Sequence, residues 1–156
     1  MSSDEDHLFL DVSTRLADAL VETVPSWVER RVVELHDAWA GATPPEVVDA
    51  AVAAGRAAGD QLRRRLDALF ALDLDRQRAN PLQILRELGT HPAGVLRAAG
   101  VPEVVRDADA ERLFPDDVYD LGPASFTDID PDLHELGLVW GAAKAKAHLA
   151  RRRAAG

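Results

Sequence analysis

The residues best suited to chemistry are the aspartates of the run Asp116-Asp117-Val118-Tyr119-Asp120. On a helix, side chains four residues apart share a face, so Asp116 and Asp120 would project together. Carboxylates placed in this way can hold Mg²⁺ against a diphosphate, because Mg²⁺ prefers oxygen ligands. One hypothesis is therefore a magnesium-dependent phosphate-ester or diphosphate hydrolase or transferase, with Asp116, Asp117 and Asp120 as its metal ligands.

A simpler explanation exists for the same aspartates. The run resembles the aspartate-rich motif of the all-helical prenyl-diphosphate enzymes, but that fold needs a much longer chain and a second acidic motif on a facing helix. Asp116 and Asp117 directly follow Pro115, where carboxylates complement the positive N-terminus of a helix. We prefer this electrostatic role and expect no cofactor; Mg²⁺ belongs to the alternative hypothesis.

A second set of carboxylates flanks the predicted turn at Gly41. Glu34 and Asp37 precede the turn, and Glu46 and Asp49 follow it. A helical hairpin would bring both pairs to a similar height, and helical nucleotide pyrophosphohydrolases use comparable carboxylates to bind Mg²⁺. At about 100° per residue, however, all four side chains lie far from the apolar stripes of their helices. We expect them to point to solvent.

Other catalytic signatures are missing from the sequence. The chain has no cysteine, which excludes disulfide scaffolds and thiol catalysis. Its 5 histidines form no Glu-x-x-His or His-x-x-x-His pair. We find no phosphate-binding glycine loop, dinucleotide fingerprint or Gly-x-Ser-x-Gly elbow. Together these observations favour a protein that is not an enzyme.

Charge is unevenly distributed along the chain. The net charge is −9, and the segment from Glu103 to Glu135 alone carries that amount. From Trp140 onward every charged residue is basic. Such asymmetry indicates an internal electrostatic contact or a surface for a partner. The candidate interaction residues are Asp107, Asp109, Asp116, Asp117 and Asp120. The basic tail, which would either offset them or contact a second partner, comprises Lys144, Lys146, Arg151, Arg152 and Arg153.

The same charge balance limits the kinds of partner. A net negative chain is a poor match for nucleic acid, so nucleic-acid binding is not expected. No apolar run approaches the length of a membrane span. The opening Met-Ser-Ser-Asp-Glu-Asp is acidic, unlike a signal peptide. We therefore expect a cytoplasmic protein without membrane contact, whose partner is another protein or a second copy of itself.

Apolar periodicity predicts a long central helix over residues 44–72. Gly55 and Gly59 each cost about 1 kcal/mol relative to alanine inside a helix, so we expect a second helix to approach them closely. Before the central helix, two shorter helices are separated or kinked by Pro25, which lacks a backbone donor. Gly41 is the expected stop of the second of these.

Short helices are predicted after residue 72. The expected starts are Asn80-Pro81, His91-Pro92, Val101-Pro102, Phe114-Pro115 and Asp130-Pro131. A final helix spans about 131–153, where Gly137 and Gly141 indicate another close approach. No alternating strand pattern is present.

The resulting fold class is all-α. We predict an antiparallel helical bundle with about three longer N-terminal helices, several short proline-started helices and one long C-terminal helix. Residues 1–156 are expected to form a single domain, with any internal boundary near 73–79.

Three blocks of the sequence resemble a family of small, all-helical actinobacterial proteins. They are Asn80-Pro-Leu-Gln-Ile-Leu-Arg86, Phe114-Pro-Asp-Asp-Val-Tyr-Asp-Leu121 and Gly137-Leu-Val-Trp-Gly-Ala-Ala-Lys-Ala145. The resemblance covers roughly the C-terminal half and implies a cytoplasmic, actinobacterial setting, but it brings no activity or ligand. The sequence as a whole therefore predicts a protein–protein interaction or regulatory module.

Overall fold

The computed structural model describes residues 4–76 and 81–155, with side chains described outside 70–76. Every regular element in these ranges is helical, and no strand occurs in them, which confirms the all-α class. The elements are α1 (Asp4–Ala40), α2 (Pro45–Arg76), α3 (Pro81–Glu87), α4 (Thr90–Ala98), α5 (Ala108–Leu113), a 3₁₀ turn (Phe126–Asp128) and α6 (Leu133–Ala155).

Pro25 does not divide the first helix. The predicted pair of shorter helices is a single helix, α1, so two long helices and not three form the N-terminal part. A proline inside a helix costs about 3 kcal/mol, because it removes a hydrogen bond and crowds the preceding turn. Packing of the Pro25 region against α2 offsets this cost and keeps the helix continuous.

The packing at Pro25 explains the two glycines of α2. A Cβ placed on Gly55 would lie 2.5 Å from the Pro25 carbonyl oxygen, and one on Gly59 would lie 3.0 Å from Cγ of the Pro25 ring. The close helix approach predicted from these glycines is confirmed. Asp18, which precedes Pro25 in α1, pairs with Arg63, which follows both glycines in α2. The two helices therefore run antiparallel.

The larger of the two core clusters lies among α1, α2, α3 and α6. Phe9 and Leu16 of α1 and Leu62 of α2 are fully buried in it. Helix α6 packs against α1 through Trp140, whose indole Nε1 donates a hydrogen bond of 2.9 Å to Oγ of the buried Ser13. A buried tryptophan needs such an acceptor for its N–H, so this bond also fixes how α6 sits on α1.

A second core cluster buries part of the chain segment that follows α4 and precedes α6 in the sequence. Tyr119 and Leu121 are buried there with Val32 of α1 and Leu96 of α4. Helices do not start at Val101-Pro102 or Phe114-Pro115, contrary to the predictions. Residues 101–107 have no regular structure, and residues 114–123 form turns and irregular backbone.

The remaining predictions have mixed outcomes. Gly41 ends α1 with a φ of +81°, as expected. Gly137 lies close to the Phe126 ring, but Gly141 has no neighbour within 4 Å of an added Cβ. Residues 73–76 belong to α2 and 77–79 lie outside the described residues, so the single domain stays a prediction. None of the described helices is long and apolar enough to cross a membrane.

Replacing Gly55 by alanine is expected to destabilise the protein, although alanine is the better helix former. The added Cβ would meet the backbone oxygen of Pro25 at 2.5 Å, and backbone cannot move aside cheaply. Overpacking of this kind typically costs about 1–3 kcal/mol. The free energy of unfolding from denaturant titration, followed by tryptophan fluorescence, measures the change.

Gly94→Ala is the matched control for this experiment. Gly94 lies inside α4, and an added Cβ there has nothing within 4 Å. We expect this variant to gain up to about 1 kcal/mol from helix propensity. Equal stabilisation by both substitutions would contradict the tight contact at Pro25.

Candidate interaction site

Residues 103–120, here called the acidic segment, are held by hydrogen bonds that join the two ends of the segment. The phenol of Tyr119 donates a buried hydrogen bond of 2.7 Å to the carbonyl oxygen of Val101. The amide of Val104 donates to the carbonyl oxygen of Val118 at 3.0 Å. These bonds close the segment into a loop whose ends meet, so its surface is held in place by the second core cluster.

Helix α5 lies within this loop and is capped at both ends by its neighbours. The carboxylate of Asp107 accepts a 2.7 Å hydrogen bond from the amide of Ala110, which makes Asp107 the N-cap. At the other end the Arg106 guanidinium donates to the Phe114 carbonyl oxygen at 2.6 Å. The N-cap role of Asp107 was readable from the sequence, since aspartate is a preferred N-cap residue, but the helix start predicted nearby was Val101-Pro102.

Asp117 builds the turn that follows α5. Its carboxylate accepts hydrogen bonds from the amides of Leu121, at 2.6 Å, and Gly122, at 2.9 Å. The turn places Asp120 in the left-handed region with a φ of +54°, which aspartate adopts more readily than most residues. Asp117 therefore stabilises the backbone of the acidic segment.

The three aspartates of the predicted metal site do not share a helix face. Asp116 and Asp117 line one groove, and Asp120 lines another. Among the described residues, no group of three or more histidine, aspartate or glutamate side chains is placed to hold a metal ion. No helix covers residues 114–120, so the shared helix face expected for Asp116 and Asp120 and the preferred role of Asp116 and Asp117 at a helix N-terminus are both wrong.

The second carboxylate set points to solvent, as predicted. Glu34, Asp37, Glu46 and Asp49 are all exposed. The carboxylate of Glu34 pairs with Arg31 at 3.0 Å. Asp37 accepts a hydrogen bond from the Thr43 hydroxyl across the turn between α1 and α2. These two acids thus contribute to the surface and the turn.

The groove that contains Asp116 and Asp117 is also lined by the apolar residues Leu113, Phe114 and Pro115. It has a volume of about 240 Å³ and lies between α3 and residues 113–117. The guanidinium carbon of Arg86 stands 4.0 Å from the ring centroid of Phe114, a cation–π contact that joins the two walls. Leu113, at the edge of this groove, is 61% exposed. We call this feature the α3 groove.

Apolar side chains are also exposed nearer the beginning of the acidic segment. Val105 is 97% exposed and Val104 is 42% exposed. The neighbouring Asp109 is exposed and pairs with Arg112 within α5 at 3.3 Å. The acidic segment thus presents apolar side chains among carboxylates on a backbone fixed by hydrogen bonds.

A second cleft lies between α1 and residues 120–128, with a volume of about 330 Å³. It is lined by Arg30 and Arg31 of α1 together with Asp120. The guanidinium of Arg30 donates a 3.0 Å hydrogen bond to the carbonyl oxygen of Ile129, which ties the cleft walls together. The sequence could not reveal this cleft, because its walls come from residues about ninety positions apart.

Arg151 of the basic tail contacts the beginning of α1. The Arg151 guanidinium pairs with Asp6, with Nη2 and Oδ2 at 3.1 Å, and the Asp6 side chain is 6% exposed. Nζ of Lys144 lies 5.1 Å from the Trp140 ring centroid. Arg151 thus pairs with an acid at the beginning of α1, and the offset of the acidic candidate residues by the basic tail stays a prediction. The exposed members of the basic tail are Lys146, Arg152 and Arg153.

Comparison with known proteins supplies no functional information. The chain matches no protein-family model, and searches of curated proteins and of solved structures return no similar protein. The resemblance to actinobacterial helical proteins therefore stays a prediction.

Asp117→Ala is expected to lower the free energy of unfolding by about 1–3 kcal/mol, because two backbone amides lose their acceptors. Asp116→Ala is the matched control: its side chain is exposed, so a change within about 0.5 kcal/mol is expected. Denaturant titration of both variants measures the difference. Equal stability of the two variants would argue against the turn-forming role of Asp117.

The phenol of Tyr119 is expected to ionise only at unusually high pH. Burial raises the pKa of Tyr119 above its ordinary value of 10.0, Arg97 opposes the rise and Glu103 adds to it. Because the folded state holds the proton more tightly, the stability from this burial is complete below pH 10.0 and is lost as pH rises through the raised pKa.

Tyrosinate absorbance measures this pKa directly, since Tyr119 is the single tyrosine of the chain. The titration midpoint should be higher for the native protein than for the protein in denaturant. Identical midpoints, with circular dichroism showing that the native sample is still folded, would contradict the burial of the phenol.

Proposed function

We propose that this chain is a non-enzymatic helical protein that binds another protein through the acidic segment. The observation that carries the proposal is the exposure of Val105, at 97%, and Leu113, at 61%, on a backbone fixed by hydrogen bonds. Exposed apolar side chains rimmed by polar ones are typical of protein interaction sites. The α3 groove lies directly beside Leu113 and offers space for a partner side chain.

The surface chemistry suggests what the partner presents. The acidic segment also carries exposed carboxylates close in sequence to these apolar side chains, namely Glu103, Asp109, Glu111 and Asp116. A complementary partner would carry lysine or arginine around an apolar centre. In such a contact the charges mainly set association rate and specificity, while burial of the apolar side chains supplies most of the affinity.

The cytoplasmic, actinobacterial setting implied by the sequence resemblance belongs to this proposal. We do not adopt the magnesium-dependent enzyme hypothesis, because its carboxylates lie in separate grooves. The two carboxylates that would remain together, Asp116 and Asp117, differ in role, since Asp117 is occupied by backbone amides.

The test is quantitative affinity capture from the native host with the double variant Asp109→Lys/Asp116→Lys. Neither carboxylate supports the core, so the variant should fold. The control is Asp49→Lys/Asp60→Lys, which changes net charge equally at exposed positions of α2. We expect recovery of a specific partner to fall by about tenfold or more in the first variant only.

Reconstitution with the purified partner then decides the proposal. Calorimetry should give a stoichiometric complex that Val105→Asp weakens and that raised salt weakens as well. Equal recovery of every captured protein with both charge variants would overturn the assignment of the acidic segment. Catalytic turnover of a phosphate ester by the purified chain would overturn the non-enzymatic role.

A further inference from the structure

Helix α6 has a second apolar face that its contacts with α1 do not use. Trp140, Ala143 and Ala147 are buried on the side that faces α1. On the opposite side Leu138 is 62% exposed and Leu149 is 48% exposed. The exposed Ala142 and Ala145 lie between these leucines on the same side, and a continuous apolar strip on a surface is typical of a face that accepts a partner.

The residues of this face follow a regular spacing. Steps of three and four residues alternate, which places all members on one stripe of the helix. Every member is exposed. In chain order the face consists of Glu135, Leu138, Ala142, Ala145, Leu149 and Arg152, and we call it the outer α6 face.

The order of side-chain types along the outer α6 face is the same from either end, except that the charges at its two ends have opposite signs. A leucine lies three residues inside each end, and two alanines occupy the middle. The first member, Glu135, is acidic and the last, Arg152, is basic. Such a face is complementary to itself when it is turned end to end.

We propose that a second copy of this chain binds here, with the two α6 helices antiparallel. About a two-fold axis between positions 143 and 144, Leu138 would meet Leu149 of the second copy, and Ala142 would meet its Ala145. The same register places Glu135 beside Arg152 of the second copy, at both ends of the contact. This is an isologous interface, the commonest kind in homodimers.

Charge selects this arrangement over the parallel one. In a parallel pair, Glu135 would lie beside Glu135 of the second copy, and Arg152 beside Arg152 of the second copy. Repulsion between these like charges would oppose association. The small side chains of Ala142 and Ala145 allow the two helix backbones to approach closely, and the leucines pack on either side of them. Opposed helix dipoles also favour the antiparallel pair.

The size of the face sets the expected affinity. Seventeen residue steps from Glu135 to Arg152 extend about 26 Å along the helix. One helix pair of this length lies at the low end of the area range for specific interfaces. We therefore expect a reversible dimer whose population depends on concentration. The outer α6 face is separate from the acidic segment, so this inference does not depend on the function proposed above.

Analytical ultracentrifugation over a range of concentrations provides the first test. We expect a monomer–dimer equilibrium, weakened about tenfold or more by Ala145→Glu, because the glutamate would be buried at the centre of the contact. Ala57→Glu is the matched control at an exposed position of α2, and it should dimerise like the unaltered chain. Circular dichroism verifies that both variants fold.

Charge exchange tests the register. Glu135→Arg and Arg152→Glu should each weaken the dimer, since each creates like-charged pairs. The double variant restores opposite charges at both ends, so dimerisation should recover relative to either single variant. A purely structural role of these residues would not produce such recovery, because the double variant would then be at least as impaired as the single ones.

Cysteine cross-linking tests the direction of the helices, and the chain has no cysteine to interfere. Leu138→Cys/Leu149→Cys should form disulfide-linked dimers on mild oxidation. The single variants should not form such dimers. In the proposed register, residue 138 of one chain lies about 16 Å along the helix axis from residue 138 of the second copy, which is too far for a disulfide. The inference is overturned by a chain that stays monomeric at high concentration, by equal dimerisation of Ala145→Glu and the unaltered chain, or by equally efficient cross-linking of the single variants.

Discussion

The contact of Pro25 with Gly55 and Gly59 sets the distance between the two longest helices, and the rest of the structure is built on that distance. Because the glycines lack side chains, α2 approaches the backbone of α1 at the point where proline has removed a helical hydrogen bond. The continuity of α1 follows from this packing. Helix α1 can then serve as a common support along its whole length.

Each further element is fixed at its own level of α1. The hydroxyl oxygen of Ser13 accepts a hydrogen bond from the indole of Trp140, and this bond positions α6 on α1. The Arg30 guanidinium donates a hydrogen bond to the carbonyl oxygen of Ile129, and this bond positions the segment before α6 against α1. Val32 belongs to the cluster that buries Tyr119 and therefore anchors the acidic segment. A kinked or broken α1 would change the relative position of these three supports.

The sequence predicted the parts of this arrangement that depend on local spacing. Apolar periodicity identified α2, and the cost of glycine inside a helix correctly indicated the close approach at Gly55. Tertiary packing decided the remainder. The continuity of α1 through Pro25 depends on a partner helix, and the turn at Asp117 depends on its carboxylate replacing helical hydrogen bonds to backbone amides. Neither effect is visible in residue spacing alone.

The pairing of Asp6 with Arg151 joins residues 145 positions apart, almost the full length of the chain. Closing so large a loop costs conformational entropy that only the assembled helices can offset. We therefore infer that α6 docks late, after α1 and α2 have formed their contact, and that its outer turns are the first part of the bundle to detach. This order of assembly agrees with the order of synthesis, because α6 follows both α1 and α2 along the chain.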